Sequence, residues 1–189
     1  MKSYSALPPG YAAYATLDLL NNKKQFYIVN GISIGLAVLL VILPFLWGWS
    51  PESSDGFGLF FLRFLVFILG TLAYISLHEL THGLVMKACG ARVHYGFKVA
   101  YAYAGSYAYF SRLAYFVIAL APVVIWGIVF ALLLPRLPSA WRWTAWLWQL
   151  INISGAAGDF YCAFRIVQAP AGTLVQDTGM DMTFYSPQQ

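Results

Sequence analysis

Four long apolar runs dominate the chain, at residues 27–47, 57–86, 113–135 and 141–167. About 20 residues of helix cross a bilayer, so each run suffices for one crossing. The second run carries Arg63 near its start, and the first carries Pro44 near its end, where a kink is expected. The first run is too long for a cleavable signal peptide and lacks a small-residue cleavage site. No internal repeat or soluble accessory domain stands out. The pattern predicts an all-α membrane protein with a juxtamembrane segment over 1–26, a membrane domain of four transmembrane helices over 27–167, and a polar tail over 168–189.

One further stretch is patterned, between helices two and three. Tyr101, Tyr103, Tyr107 and Tyr109 alternate with alanines around Ala104-Gly105-Ser106, which reads as a small β-hairpin. Its tyrosines either anchor at lipid headgroups or belong to an edge strand that pairs with an extended peptide. Pro8-Pro9-Gly10 marks a turn. The tail reads as a solvated extension, and His94 reads as a surface residue.

Composition agrees with the pattern. Hydrophobic residues make up 60% of the 189 and charged residues only 10%, against about 25% charged in soluble domains. Too few polar groups remain to coat a globule. With the N-terminus inside, Lys2, Lys23, Lys24, Lys87, Arg92, Lys98, Arg112 and Arg165 fall on the cytoplasmic side, and Arg63, Arg136 and Arg142 outside. That bias follows the positive-inside rule and places both ends of a multi-pass cell-membrane protein in the cytoplasm. The net charge of +4 is thus an orientation signal, with no nucleic-acid patch. Cys89 and Cys162 read as small packing residues in a reducing compartment.

The chemistry is concentrated in His78-Glu79-Leu80-Thr81-His82, inside the second apolar run. Positions i and i+4 share a helix face, so His78 and His82 can grip one metal ion. Glu79 then lies near enough to act as general base on a metal-bound water. Zinc suits two imidazoles plus a carboxylate, although other metals fit the same donors. A carboxylate inside a membrane helix costs about 2.5–3.5 kcal/mol on insertion scales and needs a partner or a task. The bland alternative is a polar cluster bonding neighbouring helices.

A catalytic zinc wants a third protein ligand. The metzincin pattern fails, because Val85 and Ala88 stand where Gly and His are needed, and no Glu follows Glu79. Asp159 is the one downstream acid inside an apolar helix. It lies six residues before Arg165, as His82 lies five before Lys87, so both sit roughly 8–9 Å inward of those markers. Gly155, Ala156, Ala157 and Gly158 allow close helix approach and local unwinding. Asp159 pairing with Arg165 is the competing reading, and the Cys162 thiolate is a weaker substitute ligand. Asn152, two turns from Asp159, either donates to the oxyanion of a tetrahedral intermediate or makes an interhelical hydrogen bond.

On these residues, together with Ala119-Leu120-Ala121-Pro122, the chain resembles the site-2 protease class of intramembrane metalloproteases. In particular it is similar to the small bacterial membrane proteins grouped as putative zincin peptidases. The resemblance implies a three-helix core, here helices two to four, and hydrolysis of a membrane protein or peptide near the cytoplasmic side. The chain departs from the class in lacking a proline between Asn152 and Asp159 and in having Phe160 next. A non-proteolytic zinc-binding membrane protein, or a helper of other membrane proteins, is the alternative.

Overall fold

The apolar runs become helices and the segments between and around them become a sheet. The computed structural model describes residues 3–19, 21–49, 56–98 and 101–188; Lys2 lies outside them. In chain order the elements are β1 (Ser3–Tyr4), β2 (Tyr11–Leu17), α1 (Lys23–Leu46), α2 (Phe57–Ala88), β3 (His94–Lys98), β4 (Tyr101–Ser111), α3 (Arg112–Leu133), a 3-10 turn (Leu134–Arg136), α4 (Ser139–Gly155), α5 (Ala157–Gln168), β5 (Leu174–Asp177) and β6 (Met182–Pro187).

The expectation of an all-α fold with one small hairpin is therefore incorrect. The described strands form a six-stranded antiparallel sheet in the order β1-β4-β5-β6-β2, with β3 paired to β4 off that path. Segments read as juxtamembrane stretch and solvated tail supply four of these strands. β2 pairs with β6 from Tyr11↔Pro187 to Leu17↔Met182, and Leu17, Val175 and Phe184 are buried beneath the sheet.

The hairpin also turns at a different place. Ala104-Gly105-Ser106 lies inside β4, whose first half pairs with β3 and whose second half pairs with β5. Gly105 is required by a close approach instead of a turn: a Cβ there would lie 2.3 Å from the Thr178 carbonyl oxygen. The connection between β3 and β4, residues 99–100, is outside the described residues.

Three helices, Lys23–Leu46, Phe57–Ala88 and Arg112–Arg136, are long and apolar enough to cross a membrane. Asn22 and Ser111 cap the first and third by accepting from the backbone N–H of Gln25 and Ala114. The outward faces of α1 and α2 leave large apolar side chains such as Ile34, Leu39, Leu69 and Leu72 more than half exposed, a surface that suits lipid and not water. α3 is the central helix, its apolar window 39% buried against 6% for the other two.

The fourth expected span, 141–167, is divided into α4 and α5. Ala156 leaves helical geometry (φ −79°, ψ 14°) within the run of small residues from Gly155 to Gly158. Glycine is the weakest helix former after proline, so the break falls where the sequence least resists it. It gives the segment carrying Asp159 a helix N-terminus of its own.

Candidate metal centre

His78 and His82 project from one face of α2, with their Nε2 atoms 3.2 Å apart. Asp159 faces them from the first turn of α5, where the partial positive charge of a helix N-terminus favours a carboxylate. Its Oδ2 lies 3.2 Å from His78 Nε2 and its Oδ1 3.4 Å from His82 Nε2. The competing pairing with Arg165 is not made; that guanidinium donates to the Tyr161 hydroxyl at 3.2 Å.

These donors fit a metal ion. Tetrahedral zinc with bonds of about 2.0–2.1 Å holds its ligand atoms about 3.3–3.4 Å apart, and the three separations above match. Hydrogen bonding agrees. His82 Nδ1 is 2.9 Å from the Ile118 carbonyl, which only accepts, so Nδ1 carries a hydrogen, and with the ring neutral Nε2 presents a lone pair. That lone pair faces a carboxylate and a second imidazole nitrogen. Acceptors crowded in this way are relieved by a positive charge among them, a proton or a metal ion.

Glu79 completes a second, overlapping group: one donor atom each from His78, Glu79 and His82 lie within 4.8 Å of one another. The atoms of the two histidines and Asp159 lie closer together than that. Glu79 Oε2 instead accepts from the backbone N–H of Ala104 in β4, at 2.9 Å. A cavity of about 260 Å³ adjoins this face, with Glu79, His82 and Asp159 on its inner side and Tyr103, Asp177 and Met180 on its sheet side. Cys162 also lines it.

Asn152 lies elsewhere. It is fully buried, donates through Nδ2 to the Val123 carbonyl at 3.1 Å, and accepts from the Tyr74 hydroxyl at 2.8 Å. Its amide is engaged behind His78, between helices, and not on the cavity wall.

Sequence reasoning missed three participants. Tyr74 bonds both Asn152 and His78 Nδ1, and its position one turn before His78 was the available signal. Ala104 acts through its backbone, which leaves no residue-type signature. Asp177 accepts from the Tyr115 hydroxyl and from Gly179 N–H, and burial raises its carboxyl above the usual range. His94, read as surface, is partly buried, stacked on Tyr107 and bonded to the Thr178 carbonyl.

Comparison with known proteins gives one match. Residues 71–174 fit the family described as Putative zincin peptidase. No curated protein and no solved structure matches the chain. The family match spans more than half of the 189 residues, from the middle of α2 to the first residue of β5. The chain belongs to this family.

Proposed function

We propose that this zincin-family protein is a zinc-dependent intramembrane endopeptidase of the site-2 protease type. It cleaves membrane-associated proteins or peptides near the cytoplasmic face of the cell membrane. The observation that carries the proposal is the convergence of His78, His82 and Asp159 at 3.2–3.4 Å beside Glu79, on helices apolar enough for a bilayer. The bias of Lys and Arg toward the sheet side supports a cytoplasmic position for the sheet.

His78, His82 and Asp159 would hold the ion through Nε2, Nε2 and a carboxylate oxygen. Zinc bound there supplies Lewis acidity, polarising a water molecule and a peptide carbonyl. Glu79 is the general base. The Ala104 N–H fixes Oε2, leaving Oε1 to take a proton from water and return it to the leaving amine. The sheet walls the cavity, and the α2 segment bearing these groups reaches it from the membrane.

The test is metal content and cleavage measured together in detergent-purified protein. About one zinc per chain is expected in the wild type and in Glu79→Gln, and little in His78→Ala or Asp159→Ala. Membranes containing the wild type should yield peptide termini that are absent with Glu79→Gln. Identical fragments from both would sink the proteolytic reading; a wild type that binds no zinc after supplementation would sink the metal site.

A further inference from the structure

The buried polar contacts behind His78 form a chain whose direction can be worked out. It starts at the Val123 carbonyl on α3, which can only accept. Asn152 must therefore turn its NH₂ toward Val123, at 3.1 Å, which leaves Oδ1 pointing at Tyr74. Oδ1 can only accept, so the single hydroxyl hydrogen of Tyr74 is committed to it, at 2.8 Å. Toward His78 the Tyr74 oxygen then has only lone pairs to offer. His78 Nδ1, 2.9 Å away, must be the donor. In the neutral ring, the form that ligates a metal, this leaves the lone pair on Nε2, facing Asp159 and His82.

We infer that Tyr74 and Asn152 are positioning residues that set the tautomer of His78 for metal binding. The inference rests on the metal-site reading above and adds to it a control that lies outside the ligand set. Tyr74 is held for the task. Its ring meets those of Trp126 and Phe130 at centroid distances of 6.4 and 5.8 Å, and it is only 6% exposed. The two histidines thus reach the same tautomer by different means. His82 is set directly by a backbone carbonyl, and His78 by a carbonyl acting through two side chains.

This arrangement predicts an effect at a distance. In Asn152→Leu the Tyr74 hydroxyl loses its acceptor and turns its hydrogen to His78 Nδ1. The ring is then biased toward carrying its proton on Nε2, where the metal should bind. Asn152 touches no proposed ligand, yet its loss should weaken zinc.

The experiment is zinc affinity by chelator competition for the full-length protein in detergent, with the thermal midpoint of each metal-free sample recorded alongside. Tyr74→Phe and Asn152→Leu should each weaken zinc about 10–100-fold. Asn152→Asp, protonated toward the Val123 carbonyl as a buried acid there must be, keeps an acceptor for the Tyr74 hydroxyl and should bind within a few-fold of the wild type. Metal-free midpoints that fall while affinity stays at the wild-type value in both Tyr74→Phe and Asn152→Leu would reduce the pair to packing and overturn the inference. Asn152→Asp as weak as Asn152→Leu would overturn it too. A wild type that binds no zinc would instead strike the metal site itself.

Discussion

The two ends of the helical bundle bury their interiors by different means. Away from the sheet, Trp47, Trp49 and Trp146 meet edge to face at centroid distances of 6.0–6.3 Å, around buried Leu40, Leu134 and Ala145. The indole N–H of buried Trp146 is satisfied by the Leu40 carbonyl at 2.8 Å. Near the sheet an apolar core that includes Met86, Phe110, Ile118 and Phe184 is joined by the buried polar groups His82, Thr81 and Ser106, with Asn152 deeper in the bundle, each tied to a named partner. Aromatic packing needs area and little direction, whereas a buried polar group is costly unless its partner is in place. Both ends supply cohesion, and the sheet end adds orientation. The two roles should therefore separate under mutation.

The sharpest separation comes from Glu79→Gln. Cleavage should fall by about 10²–10⁴-fold, with the thermal midpoint and zinc content unchanged; a collapse of stability would mean that the polar end also carries the fold. Trp146→Ala should do the reverse, costing about 3 kcal/mol in denaturant unfolding while each folded molecule still binds one zinc. Loss of zinc in step with stability would erase the distinction. Gly105→Ala tests the sheet between these extremes. Its new Cβ must displace the Thr178–Gly179 backbone, which fits an overpacking cost of about 1–3 kcal/mol and faster proteolysis within 174–187.

The smallest effect is expected from pH acting on Asp177. Burial raises its carboxyl pKa in the folded state, only partly offset by Tyr115 and Gly179. Between the ordinary carboxylate range and that raised value the native protein holds the extra proton, so stability declines as pH rises through this window. Thermal midpoints followed from about pH 4 upward should show the decline in the wild type. Asp177→Asn should lack it, and parallel curves for the two proteins would remove Asp177 as the cause.

The parts legible in the sequence are those written over short distances. The run 57–86 becomes α2 at Phe57–Ala88, and 113–135 becomes α3 with its 3-10 turn, because apolar periodicity is a local property. The His78–His82 spacing is local too. The sheet was not legible, because β2 and β6 are weak strands alone and their pairing joins residues such as Tyr11 and Pro187. Gly105 misled because a glycine beside serine signals a turn, while its real requirement is a backbone approaching from residue 178. Tyr74 was legible only in part: its place one turn before His78 is local, but its bond to Asn152, 78 positions away, is not.

The pairing of β2 with β6 also sets a timetable for synthesis. Leu17 and its partner Met182 are separated by about 165 residues, so at 5–20 residues per second β2 waits roughly 10–30 s for its neighbour. All five helices are made in that interval. His78, His82 and Asp159 precede β5 and β6 in the chain, so the proposed ligands exist before the strands that complete the sheet side of the cavity. If the proposed site binds zinc, a nascent chain thus has an interval in which the ion can enter before the last strand docks.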